Sequence, residues 1–376
     1  MSNQLVVAIN TLSVSDANEG IRTMLGRLIP AFAMLERHRV LLVCSDRNTH
    51  LFEEIGGHVE TVQVRLSSRV TLPARLFADQ VTVPRLVRDR ADVLVTPSSV
   101  GSLRSPIPQV VIVPGHLAVP SLRRAAGPKA MSTLHRLYYG PLLRLTLRRA
   151  DAVAAISHHL AAALIDELGL DPLTTSAMPL GVDLPPHQPL SLAERAPVVL
   201  FVGTLYPYKD ASVAVRGFAG ARQALPRATR LVIVGRDPDG GQADVLWKVA
   251  AAEGVTDAVE VLGAVDEPTL IDLYRRSRVL VLPSRCEGFG LPVLEAMAHG
   301  TPTVVADSSS LPEVVGATGA IFAPGDVDGL ASKLVDVFAN DEHWIKLSRA
   351  ARARAEVCTW TRSAEHLAAV VDRVAP

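Results

Sequence analysis

Two glutamates, Glu287 and Glu295, flank a glycine-containing turn in the sequence EGFGLPVLE. An ionised carboxylate only accepts hydrogen bonds and can take two hydroxyl donors at once, so it suits the vicinal diols of a sugar or a ribose. We expect both side chains at the N-terminus of one helix, each serving one end of an elongated ligand. The alternatives are that Glu295 only stabilises a helix N-terminus and that Glu287 is a solvated loop residue.

The residues between the two glutamates predict a strand, a tight loop and then a helix. Gly288 and Gly290 allow the backbone to turn sharply and to approach a ligand closely, and Pro292 suits the first helical position. The N–H groups near Leu291 and Val293 would be free at the start of this helix. Together with the helix dipole they would form an anion site that receives a diphosphate.

Short β-branched runs recur along the chain, each followed by a segment with helical periodicity. Because these runs are apolar throughout, they indicate strands buried on both faces of a parallel sheet that helices cover. The predicted strands are Val6–Ile9, Val40–Val43, Val93–Val95, Val110–Val113, Ala152–Ile156, Val198–Val202, Leu231–Val234, Val259–Leu262, Val279–Leu282 and Thr303–Val305. The predicted helices are Ala211–Ala224, Leu270–Arg276, Val327–Ala339, Asp341–Val357 and Thr361–Val374. The sequence therefore predicts an α/β fold with two doubly wound units, whose ligands bind at the carboxyl ends of the strands in a cleft between the units.

A proline-rich stretch, LPPHQPLSLAERAP, separates the two predicted units and indicates a semi-rigid connector. We predict an N-terminal Rossmann-like domain over residues 1–184, a linker over 185–196 and a C-terminal Rossmann-like domain over 197–357. We expect the last helix, within 358–376, to pack back on the N-terminal domain.

Composition narrows the class of protein. The chain has 376 residues, 48% of them hydrophobic, with 38 basic and 38 acidic residues, so overall charge provides no attraction to nucleic acid. The three cysteines show no CxxC or Cys/His cluster, which argues against a disulfide framework or a zinc ribbon and favours a reducing compartment. The N-terminal apolar run is too short for a signal peptide, and we expect a cytoplasmic protein.

Other motifs either are absent or discriminate poorly. No GxGxxG follows the first strand, and no GxSxG, HExxH or GxxxxGK[ST] occurs, which disfavours nicotinamide-dependent and P-loop enzymes and several hydrolase classes. Asp237-Pro238-Asp239 and Asp326-Val327-Asp328 both spell DxD. Two copies of so short a string in predicted loops carry little weight, and we predict no metal site.

The segment Ser121–Ala150 contains seven basic residues, no acidic residue and several interleaved leucines and tyrosines. This composition is compatible with peripheral contact with anionic lipid headgroups at the inner face of the membrane. The alternative is a solvated helix face with core contacts. We expect Gly140-Pro141 to interrupt any single long helix here.

The segment from Glu287 to Glu295 resembles the E-x7-E motif of the family-4 retaining glycosyltransferases. Similar strings of that family stand along nearly the whole chain: GIR, LHRLYYGPLLRLTLRRADAVAAIS, PLGVD, LFVGTLYPYKD, LVIVG, VLGAVDEPTLIDLYRRS and SSSLPEV. The similarity is strongest to mannosyltransferases and related enzymes of polysaccharide assembly. It implies the GT-B fold, two Rossmann-like domains facing a central cleft, and metal-independent transfer of a hexose with retention. The nucleotide diphosphate sugar, GDP-mannose first and a UDP-sugar second, would be a substrate, with no cofactor and with a hydroxyl group as acceptor.

The resemblance also implies roles around the EGFGLP turn. Glu287 would contact the hydroxyls of the donor sugar and also act in catalysis, and Glu295 would hold the ribose. Amides near Leu291 would meet the diphosphate. The remaining turn residues with a donor-binding role by this resemblance are Gly288, Phe289 and Gly290.

Two further strings resemble donor-binding elements of the family. In LFVGTLYPYKD, Lys209 would bind the donor phosphates and support catalysis, Gly203 would let the chain turn beneath them, and Thr204 would line the same loop. In VLGAV, backbone atoms at Val261 and Gly263 would face the nucleobase. Resemblance does not distinguish guanine from uracil at that position.

Two elements of the N-terminal domain resemble family features less closely. His116 would lie beside the reacting sugar, although Leu117 follows it where relatives commonly have aspartate. Gly20 and Ile21, in the string DANEGIR, would form a loop that faces the phosphates and the acceptor. The alternative is an ordinary helix start.

Departures from the family pattern keep alternative functions open. Thr204 and Tyr208 stand where many relatives have arginine or lysine, and Arg236 or Arg285 could replace that charge. One alternative is a sugar-nucleotide epimerase, which shares the fold and would convert the donor without acceptor. A second is a non-catalytic partner subunit that binds nucleotide sugar.

Overall fold

The computed structural model describes residues 4–14, 19–52, 59–65, 76–115, 118–127 and 133–376. The chain divides into two compact units. Unit 1 contains Met1–Pro120, Met131–Gly181 and Trp360–Pro376, and unit 2 contains Ser121–Ala130 and Val182–Thr359.

The described residues form thirteen β-strands. In chain order they are β1 Val6–Asn10, β2 Arg39–Ser45, β3 Val59–Val64, β4 Val93–Thr96, β5 Gln109–Val113, β6 Ala152–Ala155, β7 Thr175–Ala177, β8 Val198–Val202, β9 Arg230–Val234, β10 Val259–Gly263, β11 Val279–Leu282, β12 Thr303–Ala306 and β13 Ala320–Phe322. The central strands are buried along nearly their whole length, as the continuous apolar runs predicted.

The same residues form thirteen α-helices. They are α1 Glu19–Met34, α2 Val83–Val87, α3 Pro120–Ala126, α4 Thr133–Arg149, α5 His158–Leu168, α6 Ala211–Ala221, α7 Gln242–Ala252, α8 Glu267–Arg276, α9 Leu291–Ala298, α10 Leu311–Val315, α11 Val327–Ala339, α12 Asp341–Glu356 and α13 Trp360–Val374. A π-helical stretch, Ala78–Thr82, leads directly into α2.

Both sheets are parallel and doubly wound. The sheet of unit 1 has the strand order β3-β2-β1-β4-β5-β6-β7, and the sheet of unit 2 has the order β10-β9-β8-β11-β12-β13. Each order reverses direction once, between β1 and β4 in unit 1 and between β8 and β11 in unit 2. Loops that follow the two strands at such a reversal diverge and leave room for a ligand. The predicted fold class is confirmed.

The sequence analysis missed three strands, and each of them is an edge strand of its sheet. β3 carries the alternating sequence VETVQV with exposed positions, and β7 and β13 have three residues each. An edge strand is covered less completely than a central one, so it does not need a continuous apolar run.

The structure divides the chain at slightly different positions from the predicted boundaries of 184, 197 and 358. Unit 2 begins at Val182, because its N–H donates to the Cys358 carbonyl at 3.0 Å and Val182 pairs with Thr359 in a parallel bridge. The predicted linker, residues 185–196, therefore belongs to unit 2; most of its residues are exposed or half-buried, and Arg195 is buried. In unit 1, α13 packs against α1, and its Asp372 carboxylate forms an ion pair with Arg37 and lies 3.1 Å from His38 Nε2.

The basic segment Ser121–Ala150 differs from its prediction in two respects. The expected interruption at Gly140-Pro141 is wrong, because α4 continues through Pro141 as far as Arg149. The φ angle of proline is compatible with a helix, so its main effect here is the loss of one backbone hydrogen bond. The segment is also shared between the two units, since residues 121–130 belong to unit 2.

Part of the positive charge in this segment is bound within the protein. Arg148 donates to the Leu168 carbonyl at 3.1 Å, and Arg149 donates to the Leu103 carbonyl at 3.3 Å. In the ranges that the structure describes, no helix combines the length and apolar character needed to span a bilayer. Contact with a membrane surface stays a prediction.

Candidate functional site

Lys209 and Glu287 meet where the sheet of unit 2 reverses its strand order. Lys209 ends a 3₁₀ turn in the loop after β8, and Glu287 lies in the loop after β11. Lys209 Nζ donates to Glu287 Oε1 at 2.6 Å, and the two side chains are only 13% and 7% exposed. Two residues distant in sequence thus form one largely buried ion pair at the point where the topology favours ligand binding.

A second ion pair joins the same two loops with its charges reversed. Arg285 Nε lies 2.7 Å from Asp210 Oδ2. The backbone N–H of Arg285 donates to the Tyr208 carbonyl at 2.8 Å. The loop after β8 therefore contributes the cation Lys209 and the anion Asp210. The loop after β11 contributes the cation Arg285 and the anion Glu287. The Arg285 guanidinium is half exposed, so the expectation that it replaces a missing cation remains a prediction.

Serines after β12 fix the loop that carries Glu287. The Glu287 N–H donates to Ser309 Oγ at 2.7 Å, and Ser310 Oγ donates to the Phe289 carbonyl at 2.8 Å. Ser309 has a φ of 44°, in the left-handed region that residues other than glycine rarely adopt. The surrounding contacts hold this conformation, so the position of Glu287 is determined by a third loop as well as by Lys209.

Helix α9 begins at Leu291, one residue before the predicted start at Pro292, with Gly290 immediately before it at a φ of 108°. A Cβ at Gly290 would lie 2.8 Å from Leu311 Cδ2, so this position favours glycine both sterically and conformationally. One detail of the predicted anion site is wrong. The Val293 N–H donates to the Gly290 carbonyl at 2.9 Å and is not free. The Leu291 N–H is therefore the better candidate to meet an anion.

The role expected of Gly203, to let the chain turn beneath the donor phosphates, stays a prediction, but a close steric contact is made elsewhere. A Cβ there would meet Lys209 Cδ at an ordinary 3.7 Å, whereas a Cβ at Gly235 would lie 1.9 Å from the Gly203 carbonyl oxygen. Gly235, after β9, is the residue that must be glycine. Its N–H donates to the carbonyl of Gly263, which has a φ of 71° and ends β10. Contacts of Val261 and Gly263 with a nucleobase stay a prediction.

Two family models match adjoining stretches of the chain. Residues 19–185 match the model described as Glycosyltransferase Family 4, and residues 186–354 match the model described as Glycosyl transferases group 1. The chain belongs to the family-4 glycosyltransferases. The family resemblance stated from the sequence is confirmed.

Individual family members and solved structures agree with this assignment. The family-4 chain is 34% identical over 206 residues to the O-antigen chain mannosyltransferase B of Escherichia coli, covering 50% of this chain and 51% of that protein. It is 31% identical over 235 residues to the D-inositol 3-phosphate glycosyltransferase of Nocardia farcinica, covering 59% of this chain and 52% of that protein. The chain thus spans about half the length of these curated relatives.

The fold matches a solved structure over nearly its whole length. The structure of Anabaena HepE in complex with UDP-glucose has a TM-score of 0.76 at 18% identity, covering 98% of this chain and 100% of that chain. At this level of identity the comparison concerns the fold alone. Together with the two parallel sheets, it confirms the GT-B class.

The second glutamate of the motif has a partner that sequence reasoning missed. Tyr274, in α8, donates from Oη to Glu295 Oε2 at 2.7 Å. Tyr274 is 2% exposed, and its pKa is raised well above the ordinary value by burial first and by the Glu295 charge second. Its hydroxyl is therefore a permanent hydrogen-bond donor to the carboxylate at physiological pH.

The ion pair of Lys209 and Glu287 also affects its neighbours. Burial and then the Glu287 charge raise the pKa of both Tyr208 and Cys286, which keeps both side chains neutral. The Tyr208 ring stacks on Tyr206 with centroids 5.6 Å apart, and Lys209 Nζ lies 5.8 Å from the Tyr208 ring centre. Tyr208, which departs from the family pattern, therefore packs against Lys209, which matches that pattern.

The structure does not place the predicted site residues of unit 1 in a candidate site. Gly20 and Ile21 lie in the first turn of α1 and not in a loop, so the expected Gly-rich loop is wrong at these two positions. A Cβ at Gly20 would meet nothing within 4 Å, so no close approach requires glycine there. His116 and Leu117 lie outside the described residues.

Both DxD strings contribute to helix starts. Asp237 Oδ2 accepts from the Ala243 N–H at 3.0 Å at the beginning of α7, and Asp326 Oδ1 accepts from the Gly329 N–H at 2.9 Å as the cap of α11. Among the residues with a described placement, no group of three His, Cys, Asp or Glu side chains is suited to hold a metal ion. Metal independence stays a prediction.

Several residues that shape the site were missed from the sequence, although the strings that contain them stood out by resemblance. Gly235 is the last residue of LVIVG, and Tyr274 lies in VLGAVDEPTLIDLYRRS. Ser309 and Ser310 lie in SSSLPEV. The signal was present in each string, but a role could be assigned only once the contacts between loops were known.

His299, directly after α9, gives a pH-dependent contribution to stability. Burial first, then the positive groups of His187, Arg195, Arg352 and Arg275, lower its pKa to about 4. An unfolded histidine titrates near about 6.5. Between those two pH values the unfolded chain binds a proton that the folded chain does not, so the free energy of unfolding falls as pH falls from about 6.5 to about 4.

We expect His299→Gln to lose this part of the pH dependence. The wild-type protein should lose about 1–2 kcal/mol more than the variant between pH 7 and pH 5, as measured by urea denaturation at both pH values. His343→Gln, on the exposed part of α12, is the matched control for the loss of an imidazole. Identical pH profiles for wild type and His299→Gln would show that His299 does not supply this dependence.

Proposed function

We propose that this chain transfers a hexose from a nucleotide diphosphate sugar to a hydroxyl acceptor, with retention at the anomeric carbon. The observation that carries the proposal is the buried ion pair of Lys209 with Glu287, beside the start of α9. Family membership supports the class of reaction. Donor, acceptor and stereochemistry are our proposals.

Each half of the ion pair has a separate task in the proposed reaction. Lys209, with the Leu291 N–H and the dipole of α9, neutralises the charge that develops on the departing diphosphate. Glu287 accepts hydrogen bonds from the sugar hydroxyls and supports the positive charge at the anomeric carbon. When no donor is bound, each group satisfies the other. Neither buried charge is left unpaired between turnovers.

We propose a front-face route for the bond changes. The bond between the anomeric carbon and the diphosphate oxygen breaks, and the acceptor oxygen forms a bond to that carbon from the same face. The acceptor hydroxyl proton moves to an oxygen of the leaving diphosphate. The products are the glycoside and a nucleoside diphosphate, so atoms and charges balance without any further reactant.

The relatives guide the choice of substrates. The E. coli relative is named as a mannosyltransferase, which supports GDP-mannose as the first donor to test and a UDP-sugar as the second. The Nocardia relative is named as acting on D-inositol 3-phosphate, so small polyol phosphates join glycans and lipid-linked glycans as acceptor classes.

Thermal stabilisation and donor consumption together test this proposal. A nucleoside diphosphate at about a hundred times its dissociation constant should add about 2.7 kcal/mol to the free energy of unfolding, which ranks GDP against UDP and ADP. The matching donor should then release nucleoside diphosphate in the presence of an acceptor. Conversion to an epimer without acceptor would favour the epimerase, and binding without consumption would favour a non-catalytic subunit.

A further inference from the structure

Tyr274 donates a hydrogen bond from Oη to Glu295 Oε2 at 2.7 Å. The tyrosine comes from α8 and the glutamate from α9, so this hydrogen bond fixes a side chain of one helix against another. A glutamate has three rotatable bonds, and tying one carboxylate oxygen to a buried group restricts all three. The Tyr274 hydroxyl therefore determines where the carboxylate points.

Tyr274 is itself held from both sides. Thr301 Oγ1 donates to the Tyr274 carbonyl at 2.6 Å, and the Tyr274 ring stacks on His299 with centroids 6.3 Å apart and an interplanar angle of 15°. A fully buried ring with a fixed backbone has little freedom to move. The hydroxyl that meets Glu295 is thus carried by a rigid support.

The support extends to Arg195, in the segment first predicted as a linker. Its guanidinium donates to Thr301 Oγ1 at 2.6 Å, to the His299 carbonyl at 2.7 Å and to the Ser277 carbonyl at 3.0 Å. Arg195 is 7% exposed, and its guanidinium lies 5.0 Å from the Trp344 ring centre. The planar guanidinium, with several fixed donors, therefore holds the end of α8 at Ser277 and the residues after α9, His299 and Thr301, in one arrangement.

We propose that Tyr274 is a positioning residue that orients the Glu295 carboxylate for the ribose diol of the donor, with Arg195 and Thr301 as its anchor. This inference rests on the proposed function, in which Glu295 holds the ribose. It adds to that function a residue outside the motif, and it assigns to the segment before β8 a part in substrate recognition. Tyr274 touches the glutamate and acts only through it.

Tyr274→Phe tests the inference because it removes one oxygen and keeps the ring. The probes are the nucleoside diphosphate that stabilises the wild type most and its 2′,3′-dideoxy analogue, with affinities measured by calorimetry. We expect the wild type to prefer the ribonucleotide. In the variant, affinity for the ribonucleotide should fall roughly 10–150-fold, as for the loss of a hydrogen bond to a charged group, while affinity for the dideoxy analogue should change by less than about twofold. In transfer assays KM for the donor should rise and kcat should change by less than about threefold.

Ser348→Ala is the matched control. It removes a buried hydrogen bond of the same unit, from Ser348 Oγ to the Gly300 carbonyl at 2.6 Å, without touching Tyr274 or Glu295. It should lower the melting temperature and keep the ribose preference. In the Glu295→Gln background, adding Tyr274→Phe should cost little more, because the two groups act as one unit.

Two further outcomes separate this inference from the proposed function. If Tyr274→Phe weakens the ribonucleotide and its dideoxy analogue by the same factor, the inference is overturned and the proposed function stands. If the wild type binds no nucleoside diphosphate at all, the proposed function fails and the inference fails with it.

Discussion

Lys209→Ala should lower the rate of sugar transfer by roughly 10²–10³-fold, the usual effect of removing one preorganised group that stabilises charge in the transition state. Lys209 Nζ is the only described cation within 2.6 Å of Glu287 Oε1, and it lies in the loop after β8 that faces the start of α9. In the proposed reaction Lys209 is the side chain that neutralises the diphosphate charge, and the Leu291 N–H and the dipole of α9 assist it. The measurement is nucleoside diphosphate release at saturating donor.

Stability must be separated from chemistry in this experiment. Lys209→Ala leaves the 7% exposed Glu287 carboxylate without its cation, which should cost about 3–5 kcal/mol of folding stability. Adding Glu287→Gln removes the unpaired charge and should restore most of the melting temperature, while transfer stays low. A Lys209→Ala protein that is folded at the assay temperature and turns over at the wild-type rate would remove Lys209 from the mechanism.

Gly235→Ala should have a large effect on stability. The added Cβ would lie 1.9 Å from the carbonyl oxygen and 2.5 Å from the carbonyl carbon of Gly203. Both atoms are backbone and cannot rotate away, so the loops after β8 and β9 must separate. We expect a loss of about 3 kcal/mol or more and a melting temperature lower by roughly 5–10 °C.

The separation of the loops after β8 and β9 should also lower the rate of sugar transfer. The loop that begins at Gly203 ends at Lys209, and a misplacement of about 1 Å at a reacting centre can cost about 10²-fold in rate. Gly203→Ala is the matched stability control, because its Cβ would meet only side-chain atoms at 3.7–3.9 Å. It should change the free energy of unfolding by less than about 1 kcal/mol. Equal melting temperatures for the two variants would contradict the steric assignment of Gly235.

Part of the candidate site could be predicted from the sequence. The acceptor-only chemistry of carboxylates and the glycine-containing turn singled out Glu287 and Glu295, and resemblance added Lys209. Nothing in the sequence joined Lys209 to Glu287, because 78 positions separate them and only the adjacency of β8 and β11 brings them together. Tyr274 and Ser309 stayed unassigned for the same reason.

Where the sequence analysis was wrong, the cause was local reasoning. The sequence analysis gave Gly235 no role, but the close contact with the Gly203 carbonyl is made by Gly235 from the neighbouring strand. Prolines suggested a connector at 185–196, whereas Arg195 anchors that segment inside unit 2. Pro141 suggested a helix end, but α4 continues through it.

The sequence by itself determined the α/β class, the order of the central strands along the chain, the start of a helix within one residue of Pro292 and the identity of the acidic pair. Those features depend on periodicity, on apolar runs and on residue types within a few positions of one another, all of which can be read from neighbouring letters. The tertiary structure alone decided which strands adjoin, which charges pair and which glycine cannot be replaced. These depend on atoms distant in sequence that come within a few ångströms of each other, and such proximity exists only after the chain has folded.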